Sequence, residues 1–267
     1  MSEDNFTSVT SVVEAAIAEV NEEPEVVIET VAPSNTDVLL PGGFIAGDGS
    51  LVKYAEVREL NGVDEEAIAK TGTPGKALMA MLQRGLVSIG TEKATKEDLD
   101  KMLSGDRDAV LIGIRRVTFG DEIDFEFPCD NCKTDLKVTV NLATDVPYKN
   151  LEDPIEDRRF VYQSKSLGEV KVSLPSGLTQ RKLLENIDKS RAELNTILLA
   201  GCVDSIGGVG SLGASSVLKL GMKDREQLVN EIITRTPGPR LGEVKTTCEA
   251  CGEDIPMPLS LADLFRL

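Results

Sequence analysis

Apolar residues along the chain follow two different spacings, and each spacing predicts its own kind of secondary structure. Between residues 64 and 117 they recur three and four positions apart, as on one face of a helix. Leu78, Met81 and Leu82 show this spacing most clearly. The segment predicts helices over residues 64–69, 76–86, 96–103 and 109–117, with Thr95 and Asp106 as N-caps of the last two.

After residue 120 the apolar spacing becomes two. Ile123, Phe125 and Phe127 alternate with acidic residues, and a second alternating run occupies residues 136–142. Alternation of this kind predicts half-buried strands. Further strands are predicted over residues 39–44, 53–60, 160–164, 169–174, 243–247 and 255–259. Helices are predicted over residues 178–200 and 215–234, with a loop at 207–213 between them and a last helical turn from Ser260.

This mixture predicts an α+β fold in which helical subdomains are joined to small antiparallel β elements. A proline-containing stretch at residues 148–157 reads as a linker. It divides the chain into an N-terminal α+β part, residues 38–147, and a C-terminal α+β part, residues 148–267. Residues 1–37 form a separate arm in this scheme.

The arm differs from the rest of the chain in charge. The first 52 residues hold ten acidic and no basic residues, whereas the other 215 hold 35 acidic and 29 basic residues. A helical apolar face within the arm predicts a short amphipathic helix. That face comprises Val9, Val12, Val13, Ala16, Ile17 and Val20. Two interpretations stay open, a solvated terminus and a docking arm for a partner subunit.

The composition excludes several classes of site. The chain of 267 residues has no histidine, so Ser-His-Asp and Cys-His catalysis and histidine metal ligands are excluded. A net charge of −16 excludes an overall basic surface for nucleic acid. We expect no membrane span, because no apolar run approaches the length that a bilayer requires. A secretory signal is not expected either, since a basic n-region is missing.

Four of the five cysteines form two Cys-x-x-Cys pairs, Cys129/Cys132 and Cys248/Cys251. Each pair joins two short β-like segments, and two such turns supply four thiolates for a tetrahedral metal ion. We therefore predict a zinc-ribbon-like four-cysteine site with structural zinc that ties the middle of the chain to its end. Redox dithiols, disulfides and an iron–sulfur cluster remain alternatives. The fifth cysteine, Cys202, reads as a buried apolar residue.

Details of the two pairs bear on this site. Gly252 follows the second pair, where the turn often needs a positive φ, but Lys133 follows the first. Lys133, Lys137 and Lys245 could offset the double negative charge of a zinc ion with four thiolates.

Two glycine-rich segments only partly match nucleotide-binding motifs. Residues 208–213 fit Gly-x-Gly-x-x-Gly but follow a helix instead of a strand. Residues 72–77 resemble a phosphate loop with too short a glycine spacing, and Ala77 stands where Ser or Thr would hold magnesium. The acidic pair Glu65/Glu66 falls on a solvated helix face. No catalytic residues are predicted, and we do not expect an enzyme.

The order of features from Asp106 onward resembles that of a known family. The features begin with Asp106-Arg107-Asp108, residues 111–116, Phe119-Gly120-Asp121-Glu122 and Phe125-Glu126-Phe127. They continue with Cys129-x-x-Cys132, residues 136–142, residues 169–174 with Leu174-Pro175-Ser176-Gly177, and Cys248-x-x-Cys251. The chain over residues 38–267 thereby resembles the baseplate hub and hub-assembly proteins of contractile-tailed bacteriophages of the T4 type. Lys133 departs from the pattern, because such proteins often have glycine there.

The resemblance implies a non-enzymatic structural component of the baseplate hub region, located in the virion tail and made in the bacterial cytoplasm. Its implied partners are other baseplate or tail subunits, including copies of itself around the tail axis. The acidic charge balance separately argues against nucleic acid as a partner, and no membrane span is expected. Two alternatives are kept, an assembly chaperone that leaves the finished particle and a zinc-ribbon protein that binds nucleic acid.

Overall fold

The computed structural model describes residues 36–211, 213–257 and 259–265, and the predicted helix of the arm lies outside them. The described residues form helices and small antiparallel sheets, which confirms the α+β class. The helices are α1 Gly62–Ala69, α2 Pro74–Gly85, α3 Lys96–Lys101, α4 Ser104–Phe119, α5 Gly177–Leu184, α6 Arg191–Cys202, α7 Ala214–Val217, α8 Met222–Arg235 and α9 Leu261–Phe265.

The strands are β1 Asp37–Ile45, β2 Leu51–Val57, β3 Leu86–Ile89, β4 Glu92–Lys93, β5 Glu122–Pro128, β6 Asp135–Asn141, β7 Tyr148–Lys149, β8 Arg159–Ser164, β9 Gly168–Ser173, β10 Val203–Ile206, β11 Val209–Gly210, β12 Gly238–Pro239, β13 Lys245–Thr247 and β14 Asp254–Pro256. Short 3-10 turns lie at Glu156–Arg158 and Leu241–Glu243. The described residues contain no helix that is long and apolar enough to span a membrane.

The first sheet has the strand order β1-β2-β3-β4 and is covered by helices α2 and α4. Its core is mainly aliphatic, with Leu40 and Ala55 from the sheet meeting Leu82, Leu111 and Ile114 from the helices. A break in the β1–β2 register between Leu39 and Phe44 bends β1 along this core.

The second sheet has the order β11-β10-β9-β8 and packs against α6 and α8. Val170 and Val172 of β9 are fully buried, and so are Leu199 of α6 and Leu228 and Ile232 of α8. The β8–β9 hairpin pairs regularly from Arg159↔Ser173 to Ser164↔Gly168, as the alternation predicts.

A third core lies where the β5–β6 hairpin meets the segments that flank the separate β13–β14 hairpin. This core joins Ile112 of α4 and Val140 of β6 to Leu241, Val244 and Leu264 near the end of the chain. Arg115 reinforces the junction, because its Nε donates to the backbone oxygen of Leu264 at 2.9 Å. The C-terminal segment is therefore held by packing as well as by any bond at its cysteines.

Asp106 does not cap a helix, contrary to the sequence prediction. Helix α4 begins at Ser104, and Leu103 occupies the cap position without a side-chain hydrogen bond. Asp106 lies buried in the first turn and accepts a hydrogen bond from the backbone N–H of Gly42. Thr95, by contrast, forms the predicted cap of α3 in a capping box with Asp98.

The two long helices predicted in the C-terminal half are each divided. Residues 178–200 form α5 and α6, because Ser190 and Glu193 make a capping box that starts a new helix. Residues 215–234 form α7 and α8 with Gly221 between them. Asp224 in the first turn of α8 accepts a hydrogen bond from the Ser164 hydroxyl at 2.6 Å, which fixes this start against β8.

Other boundaries also differ from prediction. The strand predicted over residues 243–247 begins only at Lys245, after a 3-10 turn, and its partner ends at Pro256. The predicted linker opens with β7, which pairs with β12 across Tyr148↔Pro239 and Lys149↔Gly238. The proposed division of the chain into residues 1–37, 38–147 and 148–267 stays a prediction.

Candidate metal centre

The cysteine pairs lie in the turns of two hairpins with the same backbone pattern. In the first turn the N–H of Cys129 donates to the oxygen of Thr134 at 2.8 Å, and the N–H of Lys133 donates to the oxygen of Cys129 at 2.9 Å. In the second turn Cys248 donates to Glu253 and Gly252 donates to Cys248, both at 2.8 Å. Each turn thus curls around its first cysteine and points both sulfurs the same way.

Lys133 and Gly252 occupy equivalent positions and share a left-handed conformation. Their φ angles are +59° and +72°, and Lys133 is the one non-glycine residue with positive φ among the residues that the structure describes. The substitution noted in the sequence therefore leaves the turn geometry intact. Its cost is local, since a residue with a Cβ is disfavoured in this region.

The four sulfur atoms form one compact group. Sγ of Cys129 lies 3.8 Å from Sγ of Cys251, and Sγ of Cys132 lies 3.7 Å from Sγ of Cys248. All four sulfurs lie within 4.8 Å of one another. A tetrahedron with metal–sulfur bonds of about 2.3 Å has sulfur–sulfur edges of about 3.8 Å. The cluster therefore has the dimensions of a four-thiolate site, and the separations are far too long for disulfide bonds.

The site has a buried side and an exposed side. Cys129 and Cys248, the first members of each pair, are fully buried, whereas Cys132 and Cys251 are exposed. Leu136 packs against the buried cysteines, with Phe127 and Ile255 at the edge of the cluster. The outer sulfurs are consequently the ones that water and solutes reach.

The thiols differ in acidity. The Thr134 hydroxyl lies 3.3 Å from Sγ of Cys132 and lowers the pKa of that thiol to about 6. Loss of water raises the pKa of Cys248 to about 11. Metal coordination needs thiolates, so metal binding releases a proton from each cysteine that still carries one.

Two polar side chains near the sulfurs carry no motif in the sequence. Thr134 reaches Cys132, and Nδ2 of Asn131 lies 3.7 Å from Sγ of Cys251 on the opposite turn. Of the lysines expected to balance the charge, Lys137 instead pairs with Glu126 at 2.8 Å on the hairpin surface. That Lys133 and Lys245 balance the negative charge of the site stays a prediction.

The remaining motifs occupy structural positions. Gly207 and Gly208 form the tight turn between β10 and β11, so the loop predicted over residues 207–213 is interrupted by the short strand β11, which pairs with β10. Thr73, in the segment that resembles a phosphate loop, caps α2 through a hydrogen bond from the Lys76 N–H. Cys202 is fully buried in the second core, as predicted, and burial raises the pKa of its thiol to about 12.

The Asp106-Arg107-Asp108 sequence at the start of α4 connects this helix to β1 and to α5. Asp106 binds the backbone of β1, Arg107 donates to the backbone oxygen of Gly177, and Asp108 accepts from Nε2 of Gln180 at 2.5 Å. The sequence does not reveal this role, because three charged residues at the start of a helix usually face solvent. The one signal in the sequence is that these three residues directly precede the apolar positions of α4.

Comparison with known proteins identifies one match. A family model described as T4 bacteriophage base plate protein matches residues 76–213. The match includes the Asp106-Arg107-Asp108 sequence and the first cysteine pair, whereas the second pair lies beyond it. No curated protein and no solved structure matches the chain significantly.

Proposed function

Because the chain belongs to the T4 bacteriophage base plate protein family, we propose that it is a non-enzymatic structural subunit of the hub region in a contractile phage tail. The family match over residues 76–213 is the observation that carries this proposal. The protein is made in the bacterial cytoplasm and ends in the virion tail. Its partners are other baseplate or tail subunits and copies of itself around the tail axis.

The four-cysteine cluster gives the proposed subunit a structural zinc ion held by Cys129, Cys132, Cys248 and Cys251. Support comes from the tetrahedral dimensions of the sulfur group and from its all-thiolate donor set, which suits zinc. Iron is the competing metal, because an iron–sulfur centre also uses four thiolates. Metal analysis of protein prepared without oxygen distinguishes the two.

A staple is the role that fits this position. The metal–sulfur bonds would connect the β5–β6 hairpin to the β13–β14 hairpin. Between Cys132 of the first hairpin and Cys248 of the second lie 115 residues of chain. Closing so long a loop in the unfolded chain is entropically costly, so a metal that holds it closed stabilises the folded form.

Two further functions remain as alternatives. An assembly chaperone would use the same body but would be missing from finished particles. A zinc-ribbon protein that binds nucleic acid would show affinity that falls steeply with salt. The net charge of −16 weighs against this last function.

Mass spectrometry of purified tails tests the proposal directly. A structural subunit is expected in mature particles at a fixed ratio to the other baseplate proteins. Presence in assembly intermediates together with absence from mature tails would instead identify a chaperone. A mobility-shift assay at low salt completes the test, and binding to DNA or RNA there would favour the nucleic-acid function.

A further inference from the structure

The two exposed sulfurs of the cluster each have a polar side chain beside them, and both side chains come from the first hairpin. The Cys132 thiol donates to the Thr134 hydroxyl at 3.3 Å within its own turn, and the direction reverses when Cys132 is a thiolate, because a thiolate can only accept. Nδ2 of Asn131 reaches across to Sγ of Cys251, at 3.7 Å, on the second turn. The Asn131 contact therefore bridges the two hairpins independently of any metal.

The second hairpin offers no such donors at the matching positions. Superposing the two turns by their backbone hydrogen bonds places Ala250 opposite Asn131 and Glu253 opposite Thr134. Alanine has no polar side-chain atom, and an ionised glutamate only accepts hydrogen bonds. The two turns share one backbone pattern, but the polar side-chain contacts to the exposed cysteines come from the first turn.

Electrostatics explains what these donors accomplish. A divalent ion with four thiolates carries a net charge of −2, and that charge resides largely on sulfur. Cys129 and Cys248 are shielded by apolar neighbours such as Leu136, whereas Cys132 and Cys251 face water. An N–H or O–H that donates to an exposed thiolate spreads its charge and opposes its displacement from the metal.

We propose that Asn131 and Thr134 are positioning residues that hold the metal on its solvent-exposed side by donating to the thiolates of Cys251 and Cys132. The inference rests on the proposed zinc site and adds to it the identity of the groups that control metal retention. Asn131 has a second effect, because it fixes the second turn against the first.

Competition for zinc tests the proposal in the full-length protein. Asn131→Ala and Thr134→Val, singly and together, are titrated with a chromophoric chelator at equilibrium. Loss of outer hydrogen-bond partners typically weakens metal binding 10–100-fold, so each single variant should bind zinc about tenfold more weakly than the wild type. Thr134→Ser keeps the hydroxyl and should restore wild-type affinity. Glu253→Ala, at the matching position of the second turn, should leave affinity unchanged.

Cobalt substitution separates this role from simple loss of structure. In Co2+-loaded protein, removal of the donors should shift the sulfur-to-metal charge-transfer band to lower energy, while the visible bands of a tetrahedral ion keep their intensity. Asn131 and Thr134 are both exposed, so neither replacement disturbs a core. Wild-type affinity and an unshifted band in both variants would overturn the proposal and leave the zinc site standing. Failure of the reduced wild-type protein to bind zinc or cobalt would overturn both.

Discussion

The backbone N–H of Gly42 donates a 2.6 Å hydrogen bond to Oδ1 of Asp106 and thereby joins β1 to the first turn of α4. Asp106 is fully buried, and its other oxygen has no hydrogen-bond partner among the described residues. Arg158 stands beside the pair and donates to the backbone oxygens of Gly42 and Gly43. Burial dominates over these contacts and raises the pKa of Asp106 to about 7.

This raised pKa makes stability depend on pH. Between about pH 4 and 7 the folded chain holds a proton on Asp106 that the unfolded chain releases, so stability falls as pH rises through this range and levels off above it. Asp106→Asn removes this contribution. The variant should exceed the wild type in unfolding free energy by about 1–3 kcal/mol at pH 8, with the difference vanishing near pH 4.

Urea unfolding at several pH values measures the effect. Burial also raises the pKa of Asp108, to about 6. The unfolding free energy of Asp106→Asn should therefore still fall as pH rises, but less steeply than that of the wild type. Asp188→Asn, which replaces an exposed carboxylate, serves as the control and should keep the wild-type profile. A pH profile of Asp106→Asn that matches the wild type would contradict this assignment.

Loss of the metal should loosen the hairpins without unfolding the whole protein. Cys129→Ser or Cys248→Ser should abolish zinc binding and expose the turns to hydrogen exchange. The helical cores should stay protected, because the third core and the Arg115–Leu264 hydrogen bond hold the C-terminal segment separately. Hydrogen exchange with mass spectrometry reads both regions at once.

Cys202→Ala provides the matched control for the cysteine variants. It alters the second core and should cost about 1 kcal/mol while zinc content stays at the wild-type level. Global loss of protection in Cys129→Ser would mean that the metal supports the entire fold and not only the hairpins.

The left-handed positions of the two turns predict opposite responses to substitution. Gly252→Ala places a Cβ at φ +72° and should destabilise the protein by about 1 kcal/mol. Lys133→Gly relieves the same conformation at φ +59° and should stabilise it by about 0.5 kcal/mol. Thermal unfolding of the zinc-loaded proteins measures both changes in stability. If the two substitutions changed stability equally and in the same direction, the two turns would not be equivalent.

A close backbone approach at Gly105 predicts a large effect. A Cβ on this residue would overlap the backbone oxygen of Pro237, so Gly105→Ala must displace α4 or the chain at Gly238. We expect a loss of about 3 kcal/mol or more in unfolding free energy. Gly62→Ala is the matched control, since Gly62 is also helical but a Cβ there would meet open space. Denaturant titration of both variants makes the comparison, and equal stabilities would refute the contact.

Deletion of the acidic arm should impair assembly of the tail without impairing the folding of the body. If the arm serves to dock on a neighbouring subunit, deletion of residues 1–30 should leave the unfolding midpoint of the body unchanged. Incorporation into tails should fall if the arm docks on a neighbouring subunit. A lower midpoint after deletion would show instead that the arm stabilises its own body.

The sequence by itself determined the α+β class, most strand and helix positions, and the two cysteine pairs. These features depend on local spacing, which a chain carries whatever its surroundings. Only the tertiary structure decided that Asp106 binds Gly42 instead of capping a helix, because that choice depends on a strand 64 residues away. The division of the helix predicted over residues 178–200 has a local cause instead, because the Ser190-x-x-Glu193 capping box stands in the sequence and outweighs the periodicity.

The candidate metal site shows the same division. Spacing alone identified its four cysteines, whereas the positions of their sulfurs within 4.8 Å depend on the meeting of two distant hairpins. The contacts of Asn131 and Thr134 with sulfur were invisible in the sequence, because neither residue belongs to a motif. Side chains that act across a tertiary contact leave no periodic trace, and their roles emerge only once the chain has folded.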